Sequence, residues 1–248
     1  KGILFAALSA ATFGLIPLYA NQAILDGVNN ETILVYRYGI AGVLYAIYLL
    51  FRGTNMRLSR GELQEVTIAG VGGYGITAFF LMWSYHYMPT GVATAIHFFY
   101  PVVVALLMAI FYKERLPLTV RAGIVLAICG VYLLSWTPGE VKWMGLFFVL
   151  MSTLTYGCYI TALNRPVLKR INPDVLTCYV LLFTALFYLI VAVARGKMEI
   201  ITRPRFLMDM GQLAVLSTIV SARLLVAAVK LIGSVGADNS NRRGGALF

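Results

Sequence analysis

Residues 2–25 read GILFAALSAATFGLIPLYANQAIL, and residues 145–168 read GLFFVLMSTLTYGCYITALNRPVL. At a shift of 143 positions they pair Gly2 with Gly145, Phe5 with Phe148, Ser9 with Ser152, Thr12 with Thr155, Phe13 with Tyr156, Gly14 with Gly157, Asn21 with Asn164 and Leu25 with Leu168. The register continues through Glu31 with Asp174, Tyr36 with Tyr179 and Tyr45 with Tyr188. Two apolar segments share Leu and Val by accident, but matching Thr, Gly, Asn and acidic positions in one register is harder to reach by chance. The chain is therefore expected to contain an internal duplication.

The surroundings of the two copies say which solvent they fold in. Of 248 residues, 60% are hydrophobic and 12% charged, against about a quarter charged in a soluble domain. Apolar runs long enough to cross a hydrocarbon core of roughly 30 Å as helices recur along the chain. They fall near residues 2–24, 31–51, 66–86, 90–111, 119–136, 143–164, 174–194 and 211–232. None alternates polar with apolar residues as the strands of a membrane barrel do. The fold class expected is all-α, a polytopic membrane helix bundle. The first run starts at Gly2 and is too long for a signal-peptide core, so it reads as the first span, while Lys1 in place of an initiator Met suggests a processed start.

The net charge of +10 would suggest nucleic acid in a soluble protein, but Lys and Arg gather in short loops, where a membrane surface explains them better. Arg52, Arg57 and Arg60 fall on one side with Lys113, Arg115, Arg121, Arg165, Lys169 and Arg170; the opposite loops carry Asp26, Glu31, Glu140 and Lys142. That places the N-terminus in the cytoplasm, although Arg195, Lys197, Arg203 and Arg205 would then lie outside. Five spans separate the start of one copy from the start of the next. An odd number turns the second copy over, giving the inverted repeat common among secondary transporters.

These residues resemble the drug/metabolite transporter superfamily, in its group of EamA-type paired-repeat exporters. The marks are Ser9, Thr12 and Gly14 with their twins Ser152, Thr155 and Gly157; Tyr36-Arg37-Tyr38; and Ala95 to Pro101 followed by Lys113-Glu114-Arg115-Leu116. The resemblance implies two inverted five-span repeats around a central substrate cavity, both termini cytoplasmic, and export of amino acids or related metabolites across a bacterial inner membrane. In this chain residues 1–137 would be the first repeat and 143–237 a second repeat of three spans. Gly233 to Ala237 resembles Pro89 to Ala93, but residues 238–248 form a polar tail where a ninth span is expected. Truncation is the favoured explanation, with completion of the bundle by another chain as the alternative.

Several residues are candidates for the work of transport. Pro17 and Pro101 lie inside spans, where Pro removes a backbone donor and opens the helix, as a kink or a gate. His97 is an ionisable group in mid-span, sharing a face with Thr94 and Pro101, and such groups face a cavity or the protein interior. His97, Tyr100 and Trp83 are expected to line one cavity, with Thr94, Tyr38, Asn21 and Asn164 as further substrate-binding candidates. Each has a plainer reading: packing histidine, interfacial aromatic belt, or interhelical glue. Arg37 is expected to snorkel to the interface and pair with Glu31 or a loop carbonyl, with attraction of a substrate carboxylate as the sharper alternative.

No acid falls mid-span, no phosphate-cradling loop or metal-ligand spacing occurs, and no nucleophile has a base beside it. Cys129, Cys158 and Cys178 lie in apolar segments as small packing residues. The expectation is a secondary transporter and not an enzyme, without metal or cofactor, whose partners are a small-molecule substrate and the lipid bilayer, with no nucleic acid. Homo-oligomers, an inactive fragment and a membrane-embedded enzyme stand as alternatives.

Overall fold

The computed structural model describes residues 2–113, 118–135, 142–229 and 231. Among them the regular structure is helical throughout: α1 (Gly2–Phe13), α2 (Ile16–Leu25), α3 (Asn30–Phe51), α4 (Arg60–Thr67), α5 (Ile76–Ser84), α6 (Thr90–His97), α7 (Tyr100–Phe111), α8 (Leu118–Ser135), α9 (Trp143–Ala162), α10 (Pro166–Arg170), α11 (Pro173–Ala194) and α12 (Pro204–Ala214). A π-helical stretch, Ile68–Gly75, joins α4 to α5, and another, Val215–Val220, carries α12 on to Val229. Seven helical segments are long and apolar enough to span a membrane. Of the eight expected spans, the one at 119–136 falls on the 18-residue helix α8, which is not one of those seven; counting it, the spans are numbered first to eighth. The chain is a multi-pass membrane protein. Residues 114–117, 136–141 and 232–248, which hold the Glu114-Arg115-Leu116 mark and the polar tail, lie outside the described residues.

Two spans start earlier than their apolar runs. The third begins at Arg60 because Ser59 and Glu62 form a reciprocal capping box, each satisfying a backbone amide of the first turn. The eighth begins at Pro204, a residue suited to a first turn that has no donor to lose. The first and fourth are each broken in the middle, at Gly14-Leu15 and at Phe98-Phe99, into the pairs α1/α2 and α6/α7.

The caps carry the duplication further than the apolar matches do. Asn29 and Asn172, equivalent at the 143-residue shift, are the N-caps of α3 and α11, their side chains accepting from the amides of Thr32 and Asp174, both at 2.8 Å. Gly53 and Gly196, also equivalent, end the same helices at φ 63° and 61°, conformations a Cβ resists. There the amides of Thr54 and Lys197 reach back to the carbonyls of Leu49 and Ala192 at 3.0 and 2.8 Å.

Helices α3 and α11 pack antiparallel. Glu31 at the start of α3 meets Arg195 at the end of α11 (2.6 Å), and Asp174 at the start of α11 meets Tyr45 in the last third of α3 (3.0 Å). Around this pair the copies exchange partners. Ser9 of the first span donates to the carbonyl of Ser221 in the eighth (2.8 Å), and its twin Ser152 in the sixth donates to the carbonyl of Thr77 in the third (3.0 Å). Position 77 corresponds to 220, next to Ser221, so the two contacts are related by the repeat with an offset of one residue.

The π-helical stretches occupy related places, Val215–Val220 corresponding to 72–77. Widened turns loosen backbone carbonyls, which in lipid must be satisfied by neighbours. Thr184 donates to the carbonyl of Gly70 (3.2 Å) and Tyr188 to that of Gly75, both from α11.

The α3–α11 contact depends on Gly42. A Cβ there would lie 2.9 Å from the Leu182 side chain and 3.3 Å from its backbone nitrogen, whereas one at Gly39 meets nothing within 4 Å. Gly42→Val is expected to destabilise the bundle by about 1–3 kcal/mol, the usual result of overpacking, and Gly39→Val by much less. Thermal unfolding in one detergent, read for both variants, checks this; equal effects would mean that the close approach does not matter.

Candidate functional site

The breaks in the first and fourth spans are built alike. Pro17 and Pro101 sit in the first turn of the helix that restarts, α2 and α7. Each lacks the amide that would bond the carbonyl four residues back, which belongs to Phe13 in one span and His97 in the other. Those two residues stack on each other, ring centroids 5.4 Å apart and planes 16° from parallel. The two interrupted helices therefore meet at their interruptions. Discontinuous helices of this kind commonly surround the binding site in secondary transporters.

His97 is fully buried, with its Nδ1 3.0 Å from the Ser152 hydroxyl. That hydroxyl has a single hydrogen, which goes to the Thr77 carbonyl at 3.0 Å. Toward His97 it must accept, so Nδ1 carries the ring proton and Nε2 offers a lone pair. Nε2 has no hydrogen-bond partner among the described residues.

From His97 a chain of buried rings crosses the middle of the bundle. Tyr156 lies 5.1 Å from His97 and 4.8 Å from Tyr100. Tyr74 is 6.3 Å from Tyr156 and 5.4 Å from Tyr159. Tyr38 follows, 5.7 Å from Tyr74 and 5.9 Å from Tyr188, on which it stacks. At this end stands Arg37, 2% exposed, its guanidinium 5.0 Å from the Tyr38 ring. Nε of Arg37 donates to Thr218 Oγ1 at 2.8 Å, while Thr218 hands its own proton to the Leu213 carbonyl across the widened turn at 3.0 Å.

Arg37 corrects a sequence expectation. It neither snorkels nor pairs with Glu31, because Glu31 is bonded to Arg195. The other ion pairs among the described residues join Glu65 to Arg165 and Asp174 to Arg223, at 2.7 Å each. Arg37 has no acidic partner among the described residues. Its twin position at the 143-residue shift holds Val180, also buried.

Two cavities approach the ring chain from opposite ends of the bundle. One, of about 230 Å³, runs between Ala69, Gly73 and Cys158 and is floored by Tyr159, with the Glu65–Arg165 pair in its lining. The other, of about 270 Å³, lies between α3, α5 and α11, lined by Asn30, Glu31, Phe79, Trp83 and Tyr188. Tyr159 lines one cavity and Tyr188 the other, and Tyr74 and Tyr38 link those two rings.

The expected site residues fall into four places. His97, Tyr100 and Tyr38 belong to the ring chain. Trp83 does not share their layer: it packs on Phe79, His86 and Phe148, one helical turn along α9 from Ser152, and lines the second cavity. Thr94 is bonded to Tyr85 at 2.9 Å. Asn21 and Asn164 lie eight residues beyond Phe13 and Tyr156, about 12 Å along a helix; Asn164 bonds the Ile160 carbonyl of its own helix at 3.4 Å. They flank the core. Tyr74, Tyr159 and Tyr188 were not singled out from the sequence as site residues, although Tyr188 had shown itself as a repeat match and Tyr74 sits in a conspicuous glycine run. Among the described residues no three His, Cys, Asp or Glu side chains come together as a metal site.

Comparisons with known proteins agree with this architecture. The model of the EamA-like transporter family matches residues 1–136. An uncharacterized transporter of Archaeoglobus fulgidus is 30% identical over 141 residues, which cover 57% of this chain and 49% of that protein. A protein of Streptantibioticus cattleyicolor named "Probable terminal-alkyne amino-acid exporter" is 26% identical over 166 residues, covering 66% and 55%. The chain spans about half the length of these curated relatives. A solved crystal structure of a protein superposes with a TM-score of 0.72 at 17% identity, covering 94% of this chain and 82% of that one, a likeness of fold.

The tautomer of His97 is open to direct test. With ¹⁵N-labelled histidine in a bilayer, nuclear magnetic resonance is expected to find Nδ1 protonated and Nε2 bare, and Ser152→Ala to perturb both signals; a protonated Nε2 in the parent chain would contradict the hydrogen-bond order deduced here.

Proposed function

Because the chain belongs to the EamA-like transporter family, we propose that it carries small organic solutes, amino acids or their relatives, across a membrane by alternating access. The observation that carries this is the placement of the tyrosine chain. It separates two cavities that enter from opposite ends, and it hangs on two helices interrupted at the same depth. Rocking of one repeat against the other would open the core to one cavity and then the other. The relative named as an amino-acid exporter supports the solute class and the outward direction.

The cytoplasmic placement of the N-terminus in an inner membrane rests on the basic loops after α3 and after α9. The basic residues of the loop after α11 weigh less against it than their number suggests, since Arg195 is neutralised by Glu31. A chemical step on the solute finds no support in the core, whose rings and hydroxyls present no activated nucleophile.

Purified chain in proteoliposomes should exchange radiolabelled leucine across the bilayer faster than empty vesicles do. Cys158 lines the first cavity and offers a second readout. With Cys129→Ser and Cys178→Ala as background, its labelling by an impermeant thiol reagent is expected from one face only and to change severalfold when leucine is added. No exchange of any amino acid, together with labelling indifferent to solute, would sink the proposal.

A further inference from the structure

We infer that Arg37 is a binding site for the carboxylate of the transported solute, an inference that rests on the transport proposal and narrows its substrate class. The starting point is an imbalance. A guanidinium presents five N–H donors and a permanent charge, and burying it away from water costs several kcal/mol unless charge and donors are both answered. Arg37 is 2% exposed, yet among the described residues its one well-formed hydrogen bond is from Nε to Thr218, the Tyr74 hydroxyl lies close to it, and it makes no ion pair. Of the acids near α3, Glu31 is paired with Arg195 and Asp174 with Arg223, and half-buried Asp209 of α12 makes no ion pair with Arg37.

The surroundings fit an arriving anion better than a structural role. Thr218 holds the Nε edge of the guanidinium, so the group cannot swing away, and the π-helical turn that aims Thr218 at it is a local irregularity kept in the middle of a span. Single-turn π segments often mark functional sites. Tyr38 shields one face of the charge at 5.0 Å, and the terminal nitrogens, with the Tyr74 hydroxyl close to the guanidinium, offer donors suited to a carboxylate. Beside it the rings of Tyr74 and Tyr188 offer an apolar wall for the rest of the solute, and the second cavity is lined by Tyr188, which stacks on Tyr38. Val180 stands at the twin position, so the repeat does not supply a second guanidinium there.

The class implied is a small organic acid, zwitterionic or not, with an apolar body. Leucine and leucinol share that body and the ammonium group, and differ in having a carboxylate or a hydroxymethyl group. The test measures counterflow of both in proteoliposomes for the parent chain, Arg37→Lys and Arg37→Gln at matched incorporation. It is paired with the shift in thermal unfolding that each solute gives the detergent-solubilised proteins. The parent is expected to prefer leucine over leucinol by at least about tenfold, the scale of a charge-assisted hydrogen-bond pair. Arg37→Gln is expected to lose that preference, and Arg37→Lys to keep part of it. Equal handling of the two solutes by the parent, or an unchanged preference in Arg37→Gln, overturns the inference while leaving transport standing. Binding that discriminates as expected without any counterflow overturns the transport proposal and keeps the site. Neither binding nor counterflow by the parent overturns both.

Discussion

Inside a bilayer a helix gains little from hiding apolar side chains, since lipid is as apolar as they are, and close backbone approach and satisfied polar groups decide which helices stay together. The antiparallel pair α3 and α11 meets both demands. Gly42 lets the backbones close in on Leu182, matched asparagine caps and glycine stops fix the length of both helices, and the acids of their first turns bond across the pair. Four further spans are placed by exchange around this axis, the first on the eighth and the sixth on the third, each through a serine that donates to a backbone carbonyl of the other copy.

That exchange is also what builds the core. The sixth span brings Ser152, Tyr156 and Tyr159 up to the third, where the glycine-rich turn from Gly70 to Gly75 supplies Tyr74 and a widened backbone. Carbonyls loosened there are taken up by Thr184 and Tyr188 of α11, so the hydroxyls that line the core are also those that keep the irregular helices viable. The breaks at Phe13 and His97 add two more loosened carbonyls at one place. Polar demand is concentrated in the middle of the bundle, among rings able to stack on a solute.

Much of the fold was readable from residues, because membrane helices leave a long apolar signature and the duplication repeated polar positions as well as apolar ones. The repeat extends beyond the spans themselves: Asn29 with Asn172 and Gly53 with Gly196 also obey it, as the caps and stops of one helix pair. The ends of the third and eighth spans were misjudged because capping chemistry, not hydropathy, sets where a helix begins. The site was half legible. Prolines and a mid-span histidine marked the broken helices, but which rings face each other depends on helix rotation, and periodicity within a run that is apolar on every side does not report it. Trp83 went to another layer for that reason. Arg37 was misplaced because its obvious partner, Glu31, is claimed by Arg195, a residue 164 positions away.

The mismatch of Arg37 with Val180 has a thermodynamic side. A carrier made of two identical inverted halves would be degenerate: letting the halves trade conformations turns the form open on one side into the form open on the other at no difference in energy. A cation present in one half alone lifts that degeneracy, because the trade moves the charge between a wetter and a drier setting. In the proposed cycle the empty carrier would then have a preferred resting side, and an anion that neutralises the charge would narrow the gap between the two forms. This unrepeated buried charge would thus be one of the differences between the halves that bias which way the unloaded molecule faces and how readily the loaded one turns.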